Sequence, residues 1–301
     1  MIFIPSYIKL YETGELQKRI NLLTQKLQKC TLCPRECKVN RVQGELGFCK
    51  STATLKVSSA HPHFGEEPEL VGKYGSGTIF FTHCNLGCIF CQNYDISHLG
   101  YGEEITKEEL VNQMLYLQKL GCHNINLVTP THFVPLWVEA LAIAIAKGLN
   151  IPIVYNCGGY ENIETIKLLD GIVDIYMPDA KYADSEVSEK YSKAKNYPEI
   201  IKKVLVEMYC QVGDLQINDE GIATRGLLVR HLVLPYNLAG TQQIMEFIAN
   251  KISKNTYVNI MAQYRPMYQA YDYPMLSRSI TRQEYQSAIR IAKESGLSRG
   301  F

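Results

Sequence analysis

Three cysteines stand close together in the run Cys84-Asn-Leu-Gly-Cys88-Ile-Phe-Cys91. Thiolates at this density can surround a compact metal centre, and a [4Fe–4S] cluster normally takes four of them. With three local ligands, one iron stays open to a ligand from outside the protein, much as a catalytic zinc ion keeps one position open. The other interpretation is a structural zinc site that His83 or His98 completes. Both interpretations predict metal ligation by this run.

A second group of cysteines precedes the first and supplies four thiolates, at Cys30, Cys33, Cys37 and Cys49. Four ligands close a metal site, which indicates structural zinc or an auxiliary iron–sulfur cluster. The alternative, four reduced cysteines in a hydrophobic core, is disfavoured by their density. Lysine and arginine residues surround this group and would offset the charge of either metal centre. They therefore do not discriminate between the two.

The composition narrows the class of protein. The chain has 301 residues, ten cysteines and a formal net charge of +1, and apolar residues make up 46% of it. This length fits one α/β barrel with an appendage, and the mixed charges do not resemble a nucleic-acid binder. No apolar run approaches the ~20 residues that span a bilayer, and the N-terminus lacks the features of a signal peptide. We therefore expect a cytoplasmic protein without nucleic-acid or membrane partners, whose cysteines serve metals rather than disulfides.

The elements that must position these cysteines alternate between strands and helices from residue 78 onward. Alternation of this kind predicts βαβ units and a parallel sheet. The predicted strands cover residues 78–82, 124–128, 152–155, 173–176, 228–234 and 257–261. The predicted helices cover residues 106–120, 134–147, 161–169, 184–209, 241–253 and 281–295. Six units predict an α/β protein with a partial (β/α)6 TIM-like barrel over residues 76–301.

An N-terminal Cys-rich extension over residues 1–75 precedes the predicted barrel. Within it, apolar periodicity predicts a helix over residues 14–29, and alternation predicts a strand over residues 53–60. Residues 64–77 are rich in Gly, Glu and Pro and predict a loop. In the barrel, the glycines of residues 211–226 interrupt the rhythm and indicate a small hairpin insertion.

Polar residues follow several of the predicted strands. Thr129 to His132 follow the second strand, Asn156 follows the third, and Asp179 and Lys181 follow the fourth. The carboxyl ends of parallel strands meet at one edge, where α/β barrels bind their ligands. We therefore expect these residues to converge on one mouth beside the cysteine triplet. The alternative for Asp179 and Lys181 is a surface ion pair of little energetic weight.

Two histidines and two cysteines allow a simpler, structural interpretation. His132 is either a site residue or a satisfied core histidine, and for His231, inside a predicted strand, the core is favoured. Cys122 and Cys210 are expected to be buried apolar thiols.

The C-x3-C-x2-C spacing directly after the first strand of a βα series resembles the radical S-adenosylmethionine (SAM) superfamily. The resemblance implies that the open iron of a [4Fe–4S] cluster chelates the amino and carboxylate groups of SAM. One electron then cleaves the sulfonium bond, and the resulting 5′-deoxyadenosyl radical abstracts hydrogen from a substrate. In such cofactor enzymes the protein supplies orientation and excludes water. The superfamily carries an aromatic residue near adenine where this chain has Phe90.

The similarity extends to a narrower family, the glycyl-radical-enzyme activating enzymes. The run Cys91-Gln-Asn93-Tyr and the run Met177-Pro-Asp179-Ala-Lys181 are similar to their motifs, and PflX-type proteins share further runs over residues 30–266. The resemblance implies an oxidoreductase that takes electrons from a donor such as flavodoxin or ferredoxin. It also implies a glycyl radical enzyme as partner. The SAM contacts that follow from it are Phe90, Asn93, Thr129, Thr131, His132, Asn156, Asp179 and Lys181.

The turn after the second strand departs from the superfamily pattern. Most members carry Gly-Gly-Glu-Pro there, whereas this chain has Thr129-Pro-Thr131-His132. Threonine hydroxyls and backbone carbonyls offer hydrogen-bond acceptors for the same amino group, so we expect SAM binding with different contacts. Two other functions remain open: a radical SAM enzyme for a small molecule or peptide, and a non-catalytic iron–sulfur or zinc protein.

Overall fold

A computed structural model describes residues 3–301 of the chain. Its strands are, in chain order, β1 (Leu55–His63), β2 (Ser76–Phe81), β3 (Glu103–Ile105), β4 (Ile125–Val128), β5 (Ile153–Cys157), β6 (Ile175–Pro178), β7 (Gln216–Ile217), β8 (Ala223–Leu232) and β9 (Tyr257–Met261). Its α-helices are α1 (Ser6–Glu12), α2 (Glu15–Gln25), α3 (Pro68–Val71), α4 (Tyr94–Ser97), α5 (Lys107–Lys119), α6 (Val134–Ala146), α7 (Ile163–Leu168), α8 (Ser185–Ser192), α9 (Tyr197–Val212), α10 (Thr241–Phe247) and α11 (Arg282–Glu294).

The six predicted barrel strands form one parallel series in the order β2-β4-β5-β6-β8-β9. Each crossover between neighbours carries at least one helix, as parallel connections require. The predicted fold class, a partial barrel of six βα units, is therefore confirmed. The predicted insertion is a hairpin, in which β7 pairs antiparallel with β8.

Alternate residues of the parallel strands face the barrel interior, since side chains change face at each step along a strand. As a result, neighbouring residues of one strand belong to two separate hydrophobic clusters. Val154, Ile175 and Leu228 belong to a small inner cluster, whereas their strand neighbours belong to the large outer core under the helices. The next inward positions toward the carboxyl ends, Asn156 and Arg230, are polar. The barrel thus has an apolar floor and a polar mouth.

The floor of the barrel is filled by α3, which lies inside the passage predicted as a loop. Leu70 belongs to the inner apolar cluster, and its carbonyl oxygen accepts a hydrogen bond of 2.9 Å from Asn124 Nδ2. The prediction for residues 64–77 was therefore incomplete, because a four-residue helix carries too few apolar positions to show a period. We call residues 64–71 the plug.

The N-terminal extension shares the sheet and the core of the barrel. Strand β1 pairs antiparallel with β2, the first parallel strand, and with β3 at the edge. Tyr7 of α1 is fully buried and donates a 2.8 Å hydrogen bond to the carbonyl of Ile151. The predicted helix over residues 14–29 is shorter, since α2 ends at Gln25, and α1 precedes it across Gly14, whose φ is 74°. Residue 75, where we expected the extension to end, thus lies between β1 and β2, which are hydrogen-bonded to each other.

The single helix predicted over residues 184–209 is wrong, because the structure has two helices there. Helix α8 ends at Ser192, and the next residue, Lys193, adopts a left-handed conformation with φ of 50°. Helix α9 begins at Tyr197, with Pro198 in its first turn, where a missing N–H costs nothing. Residues 193–196, between the two helices, include no glycine or proline, so the apolar periodicity of the sequence did not reveal the break.

Cys210 corrects a second prediction, because its side chain is exposed whereas that of Cys122 is buried as expected. The inward residues of α9 include Leu205, Met208 and Val212, and Cys210 lies between them on the solvent face. The structure confirms His231 as a core histidine. Its ring nitrogens contact the carbonyl of Ala180 at 2.8 Å and the hydroxyl of Thr241 at 3.0 Å.

Within residues 3–301, no helix combines the length and the apolar character that a bilayer crossing requires.

Candidate active site at the mouth of the barrel

The cysteine triplet lies in the loop between β2 and α4, above the first parallel strand. Each of its sulfur atoms accepts one hydrogen bond: Cys84 Sγ from the backbone N–H of Leu86 at 3.3 Å, Cys88 Sγ from the Ser192 hydroxyl at 3.1 Å, and Cys91 Sγ from the Ser97 hydroxyl at 3.1 Å. Donors of this kind stabilise thiolates that ligate iron–sulfur clusters. The chemistry of the loop therefore fits a cluster with three thiolate ligands.

All three cysteines line one cavity of about 240 Å³ at the mouth of the barrel. Six of the eight predicted SAM contacts line the same cavity, namely Phe90, Asn93, Thr129, Asn156, Asp179 and Lys181. Residues at the carboxyl ends of four parallel strands thus line one cavity. The lining combines aromatic, amide and charged side chains, as sites for polar cofactors usually do.

Thr131 and His132 do not line this cavity, although they belong to the same predicted set. Thr129 has a left-handed φ of 56°, which turns the chain so that the next residues point away from the mouth. The Thr131 hydroxyl donates to Glu161 at 2.8 Å, and His132 Nε2 contacts the carbonyl of Thr82 at 2.8 Å. Burial, with the nearby charge of Arg41, lowers the pKa of His132 to about 3, so the ring is neutral.

Glu161 occupies a buried pocket beside this turn. It accepts hydrogen bonds from Thr131 Oγ1 at 2.8 Å and from Tyr155 Oη at 2.9 Å. Burial raises the pKa of its carboxyl to about 7, against the lowering effect of these hydrogen bonds. Burial thus favours the protonated form of this carboxyl, and neither of its two hydrogen-bond donors is cationic.

Asp179 and Lys181 form a buried ion pair and not the surface pair of the alternative interpretation. Lys181 Nζ lies 2.6 Å from Asp179 Oδ2, and their side chains are 16% and 12% exposed. Arg230 Nε donates to the other carboxylate oxygen at 2.8 Å. Burial would raise the pKa of Asp179, but Arg230 and Lys181 hold it below its ordinary value. Burial would lower the pKa of Lys181, but Asp179 raises it, so both groups are charged at neutral pH.

Tyr197 fixes the orientation of this pair. Its hydroxyl donates to the carbonyl of Asp179 at 2.6 Å and accepts from the backbone N–H of Lys181 at 3.0 Å. The tyrosine comes from the start of α9, so the break between α8 and α9 brings it under the strand end. Because the backbone is held on both sides of Ala180, the two charged side chains project into the cavity from a rigid base.

The charged residues Arg230 and Glu66 belong to the site and were absent from the predicted set. Arg230 lines the cavity and bridges Asp179, Asn156 Oδ1 at 2.7 Å and Glu66 Oε2 at 3.2 Å. Glu66 belongs to the plug and contacts Arg230 from the floor side of the barrel. Burial raises the pKa of its carboxyl, although the positive charge of Arg230 acts to lower it. Strand alternation could have identified Arg230 as an inward charge, since it lies two residues from Leu228. No signal in the sequence pointed to Glu66.

Phe90 forms an aromatic wall beside the cysteines. It is buried, and its ring meets Tyr182 at 6.2 Å and Tyr264 at 5.7 Å between centroids, both nearly perpendicular. These distances are typical of edge-to-face aromatic packing. Asn93 caps α4 without a side-chain hydrogen bond to the helix, which leaves its amide free to face the cavity.

The four cysteines of the extension enclose a separate space on the other side of the Cys84 loop. Cys30, Cys33, Cys37 and Cys49 all line it, together with apolar side chains and the buried Arg41. Within residues 3–301, no three His, Cys, Asp or Glu side chains are arranged around one point as ligands of a single ion. Thiolates that bind a cubane cluster ligate different irons and therefore lie further apart than ligands of one ion. The triplet, with its sulfur-directed donors, fits such a cluster.

Residues 78–211 match the family model of the radical SAM superfamily. An uncharacterised protein of Methanocaldococcus jannaschii is 34% identical over 288 residues, which cover 94% of this chain and 79% of that protein. Two solved structures are similar at lower identity. Methylornithine synthase (PylB) has a TM-score of 0.49 at 15% identity, and HydG, a maturase of the [FeFe]-hydrogenase, has a TM-score of 0.48 at 12% identity.

Each superposition covers 72% of this chain but only 60% of PylB and 49% of HydG, so the chain spans less than two thirds of either. The similarity to the archaeal protein, by contrast, runs over nearly the whole sequence. The matched radical SAM region begins inside β2, contains the cysteine triplet and ends in α9. This chain therefore belongs to the same family as the Methanocaldococcus jannaschii protein and carries a radical SAM domain over residues 78–211.

Proposed function

We propose that this protein is a radical SAM enzyme that abstracts hydrogen from a glycine residue of a partner glycyl radical enzyme. The observation that carries the radical SAM part is the convergence of three thiols with Phe90, Asn156, Asp179 and Lys181 on one cavity. What supports the glycine substrate is the similarity of the Cys91-Gln-Asn93 and Met177–Lys181 runs to activating enzymes. A [4Fe–4S] cluster, when bound, supplies the electron that cleaves the sulfonium bond of SAM.

The residues of the cavity would hold the three parts of SAM. The ammonium group of Lys181 suits the methionine carboxylate, and because Asp179 keeps it charged, that attraction persists at neutral pH. Asn156 offers an amide to the ribose hydroxyls. Phe90 offers an apolar face to adenine. Thr129 offers a hydroxyl and a carbonyl to the amino group, in place of the motif that most superfamily members carry.

The same residues would exclude water from the reacting atoms. Phe90, which packs against Tyr182 and Tyr264, forms one wall of the cavity, and the plug closes the floor of the barrel. A site that excludes water protects a reactive radical from side reactions and strengthens the electrostatic interactions within it.

SAM cleavage tests the radical SAM part directly. Anaerobically reconstituted protein, reduced with dithionite, is incubated with SAM, and 5′-deoxyadenosine and methionine are measured by chromatography. Wild-type protein and a Cys122→Ala control are expected to form both products slowly, whereas Cys88→Ala is expected to form neither and to lose iron. Absence of deoxyadenosine from wild-type protein with a full, reduced cluster would leave the non-catalytic iron–sulfur protein as the explanation.

The glycine substrate is tested by fractionating an anaerobic lysate of the source cells. The protein fraction is expected to stimulate deoxyadenosine formation and to acquire the doublet signal of a glycyl radical in electron paramagnetic resonance (EPR) spectra. Stimulation by the low-molecular-weight fraction alone would contradict the glycine substrate and favour the small-molecule alternative. A flavodoxin or ferredoxin is the proposed physiological electron donor.

We also propose that the extension binds metal through Cys30, Cys33, Cys37 and Cys49. Support comes from their common enclosed space and from the buried Arg41 beside it, whose positive charge would offset that of the thiolates. Elemental analysis distinguishes the two metals that the sequence leaves open. Structural zinc gives about one zinc per chain, and a second cubane raises iron from about four to about eight per chain. Four freely alkylated thiols without metal would refute the site.

A further inference from the structure

We propose that Arg35 is a positioning residue through which the four-cysteine site holds the loop of the SAM cluster in place. This inference rests on the proposed function, because it concerns how the same cluster is supported. It goes further by assigning the extension a role in the chemistry of the barrel.

The guanidinium of Arg35 is bonded to two consecutive backbone carbonyls that precede Cys88. Its Nε donates to Asn85 O at 3.0 Å, and its Nη2 donates to Leu86 O at 3.0 Å. These two carbonyls belong to the loop between Cys84 and Cys88. Because one planar group carries five N–H donors in a fixed geometry, it can hold several carbonyls at once.

The other donors of Arg35 reach the end of α8. Nη2 also donates to Ser192 O at 2.8 Å, and Nη1 donates to the carbonyl of Lys193. The hydroxyl of Ser192 in turn donates to Cys88 Sγ at 3.1 Å. Arg35 therefore fixes the backbone of the cysteine loop and also the residue that hydrogen-bonds its middle sulfur.

Phe48 supports the same loop beside Arg35. The guanidinium carbon of Arg35 lies 3.7 Å from the centroid of the Phe48 ring. A methyl group at Gly87 would come within 3.1 Å of that ring, so the ring packs directly against the loop between Cys84 and Cys88. Gly87 has a φ of 70°, a conformation that glycine adopts without strain.

Arg35 and Phe48 both lie in the segment that contains the four cysteines of the extension. Arg35 lies between Cys33 and Cys37, and Phe48 immediately precedes Cys49. The backbone N–H of Phe48 also donates to Cys37 Sγ at 3.3 Å. Residues 30–50, which carry both side chains, contain no strand or α-helix, and their regular structure is one three-residue 3-10 helix, Arg41–Gln43. A metal bound by the four thiolates would restrict these residues and thereby fix Arg35 and Phe48 against the SAM-cluster loop.

A second arginine of the extension makes an equivalent connection to the barrel. Arg41 is fully buried, and its guanidinium donates to the carbonyls of Ser51 and Thr52 within the extension and of His132 in the turn after β4. The extension thus contacts two loops of the barrel mouth through arginine–carbonyl bonds. Arg35 is the better residue to test, because it is only partly buried and its loss leaves no large internal cavity.

The test compares Arg35→Gln, Arg35→Lys and Cys37→Ser with Arg19→Gln as the matched control. Arg19 is also bonded to several carbonyls, those of Lys167, Leu168 and Asp170, but at the C-terminal end of α7. Each protein is reconstituted anaerobically, and three quantities are measured. They are the rate of iron release to a chelator, the change in the EPR spectrum on SAM addition, and hydrogen exchange of residues 84–90.

Arg35→Gln and Cys37→Ser are expected to release the iron of the SAM cluster about tenfold faster than wild type, the lower limit for loss of a residue that supports metal ligands. They are also expected to show faster hydrogen exchange over residues 84–90 and a weaker spectral response to SAM. Arg35→Lys keeps the charge but not the planar set of donors, so we expect an intermediate release rate. Arg19→Gln is expected to match wild type in all three measurements.

The outcomes separate this inference from the proposed function. A wild-type protein without a SAM-responsive cluster would overturn both. A responsive wild-type cluster with wild-type iron release in Arg35→Gln would overturn the inference alone. Faster release in Arg35→Gln but not in Cys37→Ser would overturn the link to the four-cysteine site. If Arg35→Gln does not fold, Arg35→Lys and the exchange of residues 84–90 in Cys37→Ser decide the question.

Discussion

Replacement of Asp179 by Asn removes the one carboxylate that Lys181 and Arg230 share. The two side chains approach it at 2.6 and 2.8 Å, and all three are mostly buried. Asn can accept from one of the two cations, but it presents its amide N–H groups to the other. Arg230 retains Glu66 at 3.2 Å, whereas Lys181 loses its only carboxylate partner among the described residues.

The expected loss of stability is the cost of leaving the buried Lys181 ammonium group without its carboxylate. Breaking a buried pair by removing one partner costs about 3–5 kcal/mol. For a chain of this length each kcal/mol lowers Tm by about 2 °C, so we expect a fall of roughly 6–10 °C. The double variant Asp179→Asn/Lys181→Met removes the stranded cation as well and is expected to regain part of the loss.

The assay is urea and thermal unfolding of the three proteins under identical metal content, with iron analysis as a check. Iron content is expected to stay at the wild-type level, because Asp179 is not a predicted ligand, while calorimetry shows weaker SAM binding. The exposed pair of Glu164 and Lys167, 2.8 Å apart, provides the control, and Glu164→Gln is expected to leave stability unchanged. A loss below about 1 kcal/mol in Asp179→Asn, the range of exposed pairs, would contradict the argument from burial.

Two further predictions concern the buried carboxyl of Glu161 and the exposed thiol of Cys210. The pKa of Glu161 rises from 4.5 to about 7 on folding, so the folded state binds more protons between these pH values and the free energy of unfolding falls by about 3 kcal/mol as pH rises through that window. In urea unfolding from pH 4.5 to 8, Glu161→Gln is expected to lose this pH dependence, whereas the exposed control Glu199→Gln is expected to keep it. A pH dependence that is retained in Glu161→Gln but lost in Glu199→Gln would exclude the assignment. In native protein, iodoacetamide is expected to alkylate the exposed Cys210 well before the buried Cys122. Peptide mass spectrometry measures the two rates, and equal rates would show that α9 does not pack as described.

The sequence predicted the barrel well because its strands alternate regularly with helices and end in polar residues. Strand bounds such as Ile125–Val128 and Tyr257–Met261 lie within a residue of the predicted ranges. Position after a strand end also identified Asn156, Asp179 and Lys181 as lining residues. These predictions needed only local periodicity and the rule that parallel strands share one ligand-binding edge.

The predictions failed where backbone conformation or distant partners decide the outcome. Thr131 and His132 follow a strand end like the others, but the left-handed backbone at Thr129 turns them away from the cavity. Lys193 ends α8 in the same conformation without a glycine to signal it. Glu66 became part of the site only through Arg230, 164 residues later in the sequence, a contact that no local pattern carries.

The plug has a consequence for how the chain reaches its native state during synthesis. Glu66 is bonded to Arg230 of β8, and Glu67 Oε1 accepts a 2.7 Å hydrogen bond from Asn259 of β9, 192 residues later. Both acids therefore leave the ribosome long before their partners exist. Contacts so distant in sequence slow folding, because a long loop must close before they form. The contacts between the plug and the barrel strands therefore cannot be completed before β9 has been synthesised.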